Sequence, residues 1–382
     1  MTQVEDRPTT AAASTALLQL LGPDGCPRDE PSLPLDLAGV DLPGLYRDMA
    51  LARRLDTEAI ALQRQGELGV WPSLRGQEAA QVGAARAMRA QDIAFPSYRE
   101  HGVALCRGVD PVELLGLFRG GTLGGWDPRA HGFNLYTLVI GAQTLHAMGY
   151  AMGVVRDDAT GSEIGTDDPA RDTAVLAFLG DGALSEGETN EAFLWAAAQQ
   201  LPVVFFCQNN QWAISAPVST QSRVPLARRA DGFGFPGVRV DGNDVLACLA
   251  ATRRALDTAR AGGGPTLIEA LTYRVNAHTT ADDADRYRDL AERDEWVARD
   301  PLERLRLLLA GTGAGSPEFF AEVEGDADEL AERLRAGCRA LPEPDPDGPF
   351  RHSYAEPPAE LGRQLAEYRE YAEASRRPAD DQ

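Results

Sequence analysis

Lysine is absent: all 37 basic residues of this 382-residue chain are arginine. No Schiff-base lysine, pyridoxal-phosphate lysine or phosphate-loop lysine can therefore operate here. Cysteine is scarce, and its five copies, Cys26, Cys106, Cys207, Cys248 and Cys338, are odd in number and widely scattered. They lack the paired short spacing of a zinc site or a disulfide framework, which fits a reducing, cytoplasmic setting. Long apolar runs are missing too. None approaches the ~20 residues of a membrane span, and the opening MTQVEDRPTTAAAST has neither the basic nor the apolar region of a secretory signal. A cytoplasmic protein with no membrane role is expected. Positive charge is outnumbered by 58 acidic side chains to 37, for a net charge of −21, which disfavours nucleic acid as a partner. More than half of that excess falls in residues 281–382, while residues 41–150 balance.

What is present is 43% apolar, enough for one large or two medium domains with a substantial core. Residues 1–40, rich in Pro, Asp and small side chains around one apolar patch at Ala16 to Leu21, read as an N-terminal arm outside the core. From Leu42 to about Ala90, Leu45, Met49, Leu55, Ile60 and Leu62 recur at helical spacing. Thr173 to Leu179 and Leu201 to Cys207 are near-continuous apolar segments of strand length, separated by a helical pattern from Glu186 to Gln199. That order is the mark of a βαβ unit with buried strands. A helix from Asp244 to Arg260, then Gly-Gly-Gly-Pro265, leads to a third such run at Thr266 to Val275. The fold class is α/β, a parallel sheet flanked by helices. An acidic Gly/Asp/Thr-rich insert at about 156–171 reads as an exposed loop. One main domain spans residues 41–340, and a Pro/Asp-rich break at Leu341 to Pro349 opens a C-terminal linker and helical tail at 341–382.

Directly after the first strand comes Gly180-Asp181-Gly182-Ala183, and directly after the second Asn209-Asn210. In a parallel sheet both lie at strand carboxyl ends, where α/β sheets bind ligands. Asp181, the Asn210 amide oxygen and a backbone carbonyl beyond it are hard oxygen donors suited to Mg²⁺. Glycines admit phosphates closely, and a helix beginning near Ser185 aims its amino end at negative charge. Alone, Asp-Gly and Asn-Asn are ordinary turn pairs. Order and spacing change that reading, with 26 residues between Gly182 and Asn209.

This arrangement resembles the thiamine-diphosphate motif, and further segments extend the likeness. Gly180 to Gly187, Phe205 to Ser215, Phe95-Pro-Ser-Tyr-Arg-Glu100, and Tyr273 to Asp283 with Arg286-Tyr-Arg288 are similar to the alpha subunit of the decarboxylating component of 2-oxo acid dehydrogenase complexes. The resemblance implies a thiamine-diphosphate-binding fold, with Mg²⁺ held by Asp181, Asn210 and the carbonyl of Trp212, where the family usually has tyrosine. It implies diphosphate contacts from Tyr98, Arg99, Gly182, Ala183 and His278, and from Gln208 where some relatives carry arginine. Ile140 would support the bent cofactor, and His278 would handle a proton or orient an intermediate. Trp71 is a candidate pocket wall, and Asp282, Asp283, Arg286 and Arg288 are candidates to pair and order the loop. Thr279 stands where mitochondrial relatives carry a regulatory serine.

The family supplies an activating glutamate from a separate beta subunit, so the resemblance implies an α₂β₂ heterotetramer that passes its acyl group to a lipoyl-bearing acyltransferase core. The substrate is a small 2-oxo acid. Phe-Phe-Cys-Gln-Asn-Asn and Thr-Ala-Asp-Asp point to a branched-chain acid of the 3-methyl-2-oxobutanoate type, whereas Val-Ile-Gly-Ala-Gln143 points to pyruvate. The balance falls to the branched-chain reading. A non-catalytic cofactor-binding scaffold is the alternative of another class, and the joint presence of Asp181, Asn210, Arg99 and His278 argues against it. No Gly-x-Ser-x-Gly elbow supports a serine hydrolase.

Overall fold

The computed structural model describes residues 16–122, 124–160, 171–343, 345–351 and 353–376. Five parallel strands form the central sheet: β1 (Ile93–Phe95), β2 (Val175–Gly180), β3 (Val203–Asn209), β4 (Gly237–Asp241) and β5 (Thr266–Leu271). Their spatial order is β1-β2-β3-β5-β4. The three apolar runs read as strands are β2, β3 and β5. Side chains alternate between two layers: Val175, Ala177, Leu179, Val203 and Phe205 enter one core, while Leu176, Phe178, Val204 and Phe206 enter the other. Both faces are buried, which is why these strands are apolar at every position.

Helices α1 (Leu42–Arg64), α2 (Glu78–Ala87) and α5 (Val245–Arg260) cover one face. Helices α3 (Ala142–Arg156) and α4 (Gly187–Ala198) cover the other. Beyond them, α6 (Pro301–Thr312) and α7 (Pro317–Ala340) pack beside α1, and the tail carries α8 (Ala359–Arg376). Among the described residues, no helix is long and apolar enough to cross a membrane.

The first correction concerns the arm. Leu18 bridges Val240 in parallel along the outer edge of β4, and Leu20 and Leu21 are buried in the core. Asp244 caps α5 by accepting from the Leu246 and Ala247 amides, and it also accepts from the Leu20 and Leu21 amides at 2.7 Å. A single apolar patch is enough to cover a strand edge, so from Leu18 the segment belongs to the sheet layer. The acidic insert lies, from 161 to 170, outside the described residues.

Arg260 in the last turn of α5 pairs with Asp92 just before β1, and both side chains are buried. Asp92 also accepts from the Ala174 amide at the start of β2, so one carboxylate joins helix and sheet. Asp92→Ala is expected to lower unfolding free energy by about 2–4 kcal/mol, since it leaves the buried Arg260 guanidinium with only the half-exposed Asp257 as a partner and the Ala174 amide without its acceptor. Urea unfolding of the purified protein measures this. A loss below about 1 kcal/mol would mean the pair behaves like a surface one.

Candidate active site

The carboxyl ends of β1, β2, β3 and β5 open onto one cavity of about 570 Å³. The ten residues that the resemblance assigns to cation or cofactor all line it: Tyr98, Arg99, Ile140, Asp181, Gly182, Ala183, Gln208, Asn210, Trp212 and His278.

One side of the cavity is cationic. Arg99, in the turn after β1, is buried and donates from Nη1 to the Ser73 carbonyl at 2.6 Å and from Nη2 to the His278 carbonyl at 3.0 Å. Arg274, in the segment after β5, donates to the Trp212 carbonyl at 3.0 Å and the Ile214 carbonyl at 2.7 Å. Both guanidiniums lie 3.3 Å from Nδ1 of His278, which makes that nitrogen the unprotonated acceptor and leaves the proton on Nε2. Burial, then Arg99 and Arg274, pull the imidazole down to about 4. Burial and the like charge of Arg99 bring Arg274 down to about 10. Neither arginine forms an ion pair with a carboxylate among the described residues, so an anion beside them would relieve their mutual repulsion.

The facing side carries the Asp181 carboxylate. Asp181 is 2% exposed, with the Gln221 amide at 3.2 Å as a side-chain donor, and burial pushes its carboxyl up to about 6. Asn210 directs Oδ1 to the Trp212 amide at 3.2 Å and donates to Gln77 at 3.3 Å. The turn after Asn210 is strained: Gln211 and Ile214, neither a glycine, hold φ values of 72° and 54°. A Cβ added to Gly182 would stand 2.9 Å from that of Ala213, so glycine alone seats the Gly-Asp-Gly turn against it. A buried, under-compensated carboxylate beside an amide oxygen and a carbonyl is a donor set for a hard divalent cation.

Four details differ from the sequence reading. The segment after β2 is a 3₁₀ turn over Asp181–Ser185, and the α-helix begins only at Gly187. Gln208 has both amide atoms engaged, donating to Glu100 at 2.6 Å and accepting from Gln81 at 3.0 Å, so it braces the buried Glu100. Trp71 does not line the cavity. It lies fully buried behind the wall, its indole Nε1 donating to Asp56. Among the described residues Asp282, Asp283, Arg286 and Arg288 form no ion pair with one another: Asp282 accepts from the His278 amide and the Tyr287 hydroxyl, while Arg288 donates to the carbonyls of Arg274, Val275 and Asn276.

Sequence reasoning missed Glu100, Val70 and Phe118 at this cavity, and Arg274 buried behind His278 and Trp212. Arg274 stood within a quoted motif, and an arginine just after a strand is the signal that could have found it. Val70 and Phe118 are ordinary apolar residues with no such signal.

A parallel α/β sheet whose strand ends gather facing cationic and carboxylate groups around one cavity defines a protein built to hold a charged organic ligand. The chain belongs to the dehydrogenase E1 component family, which it matches over residues 46–343. It is 47% identical over 340 residues to the 3-methyl-2-oxobutanoate dehydrogenase subunit alpha of Mycobacterium tuberculosis, covering 89% of each chain. Similarity extends to pyruvate dehydrogenase E1 component alpha subunits. The identity is 37% over 355 residues with Acholeplasma laidlawii, covering 90% of this chain and 96% of the relative. It is 35% over 326 residues with Staphylococcus aureus, covering 85% and 83%.

Proposed function

We propose that this chain is the alpha subunit of a 2-oxo acid dehydrogenase that binds thiamine diphosphate with Mg²⁺ and acts on a branched-chain substrate of the 3-methyl-2-oxobutanoate type. The observation that carries the reading is the convergence of Asp181, Asn210, the Trp212 carbonyl, Arg99 and His278 on one cavity in a member of this family. Asp181, Asn210 and Trp212 would hold the cation. Tyr98, Arg99, His278 and the backbone at Gly182 and Ala183 would hold the diphosphate, with Gln208 bracing the wall and Ile140 beside the pyrimidine. When bound, the cofactor supplies the electron sink for decarboxylation. His278, neutral with its proton on Nε2, is a hydrogen-bond donor that Arg99 and Arg274 orient.

A partner is supported by the mouth of the cavity, where Leu138, Val139 and Ile140 are 61%, 70% and 40% exposed. We assign this role to a beta subunit in an α₂β₂ assembly in the cytoplasm, delivering its acyl group to a lipoyl-bearing acyltransferase core.

Co-expression with the beta subunit tests the reading. Titration with thiamine diphosphate is expected to show binding that EDTA abolishes and Mg²⁺ restores, and ferricyanide reduction should be faster with 3-methyl-2-oxobutanoate than with pyruvate. Faster reduction with pyruvate moves the substrate assignment to pyruvate. Cofactor binding without turnover of any 2-oxo acid identifies a scaffold instead.

A further inference from the structure

Gln77 stands at the N-cap of α2 and lines the cavity, yet its side chain makes no hydrogen bond to the helix it precedes. Its backbone is fixed on both sides. The Gln77 amide donates to the Leu74 carbonyl at 2.9 Å, and its carbonyl accepts from the Gln81 amide at 3.1 Å. The preceding Gly76 holds φ at 96° against the segment after β5, where a Cβ would stand 2.3 Å from the Tyr273 carbonyl oxygen, so glycine alone permits this approach. Gln77 itself is 1% exposed.

The hydrogen bonds from here to the metal turn have a fixed direction. A backbone amide can only donate, so the Asn210 atom 3.2 Å from the Trp212 amide is Oδ1, and Nδ2 is the atom that faces Gln77. Nδ2 donates in turn, so the Gln77 atom 3.3 Å from it is Oε1. The consequence falls on the other end of Gln77. Its Nε2 is buried with no hydrogen-bond partner, a condition that costs about 1–3 kcal/mol. Turning the Gln77 amide over would set two NH₂ groups against each other, so the unpartnered donor goes with the ordered Asn210.

We infer that Gln77 is a positioning residue of the cation site, whose Oε1 holds the Asn210 amide in the one orientation that offers Oδ1 to Mg²⁺. This inference rests on the cofactor reading above. Oδ1 has two lone pairs, of which the Trp212 amide takes one and leaves the other for the cation. A reversed Asn210 would turn its NH₂ group to the cation, and that group is no ligand for a hard divalent ion. Gln77 and the Trp212 amide oppose the reversal from the two ends of the same side chain.

The test reads Mg²⁺ rather than turnover. In the complex with the beta subunit, calorimetric titration of thiamine diphosphate at stepped Mg²⁺ concentrations gives the Mg²⁺ half-saturation for the parent and for Gln77→Leu, Gln77→Met and Gln77→Glu. Leucine and methionine cannot accept from Asn210, and both are expected to raise the half-saturation about tenfold or more, the range for losing a group that orients a metal ligand. Gln77→Glu keeps the acceptor and is expected to lie closer to the parent than to either. The leucine and methionine variants also remove the unpartnered Nε2, so the melting temperature of the cofactor-free complex should not fall. A lowered melting temperature with an unchanged Mg²⁺ half-saturation would mark Gln77 as merely structural and overturn the proposal. Gln77→Glu as impaired as Gln77→Leu overturns it too, because the acceptor would then not be what matters. A parent complex that binds no thiamine diphosphate at any Mg²⁺ concentration overturns the cofactor reading itself, and this role with it.

Discussion

Asp181→Asn is expected to abolish Mg²⁺-dependent cofactor binding and to cut turnover at least about a hundredfold, since even residues that only orient a metal ligand are worth that much. The same substitution is expected to stabilise the cofactor-free protein. Burial holds the Asp181 carboxyl up at about 6 against an ordinary 3.8, so between about pH 4 and 6 the folded state keeps a proton that the unfolded state has released. Stability from this group is therefore lost as pH rises through that window and stays lost at pH 7. Asparagine carries no such cost. The melting temperature of the free Asp181→Asn protein should exceed that of the parent at pH 7 and converge with it near pH 4. Asp244, also raised to about 6, and His278, lowered to about 4 with the opposite pH slope, are common to both proteins and cancel in the difference. Parent-like turnover by Asp181→Asn would sink the metal assignment. Equal melting temperatures at pH 7 would show that the buried carboxylate is already compensated inside the protein.

The same contrast explains what could be read from the chain. Strands β2, β3 and β5 were legible because burial on both faces leaves a continuous apolar run, and the βαβ order fixed where Asp181 and Asn210 had to lie. Strands β1 and β4 were not. Ile-Ala-Phe is too short to show a period, and Gly-Val-Arg-Val-Asp exposes part of its length at the sheet edge. The patch Ala16 to Leu21 read as an arm because six residues cannot announce a neighbour more than two hundred positions away. At the site, the charged and glycine positions were legible because their chemistry needs those residue types. Phe118 and Val70 were not, because an apolar wall is indistinguishable from core in one dimension. Arg274 was overlooked because two of its hydrogen bonds go to carbonyls, which carry no side-chain signature.

Arg99→Gln is expected to weaken thiamine diphosphate binding about 10- to 100-fold, the range for losing hydrogen bonds from a charged donor. Because Arg99 is the second cause, after burial, of the low His278 pKa, its removal should also move the imidazole upward from about 4 toward 6.5. Relative to the parent at the same pH, in which Asp181 takes up the same proton, cofactor affinity in the variant should then recover partly as pH falls from 7.5 to 6, as His278 gains the positive charge that Arg99 no longer supplies. Isothermal titration at several pH values follows both effects, and an unchanged dissociation constant at pH 7.5 would remove Arg99 from the diphosphate site. Arg274→Gln should act differently, since that guanidinium also holds the Trp212 and Ile214 carbonyls that flank the metal turn. Its first deficit should be a higher Mg²⁺ requirement. The two arginines converge on the same His278 nitrogen, so their double variant should lose less affinity than the two single losses combined. Simple additivity would mean that His278 does not link the anion side of the cavity to the metal side.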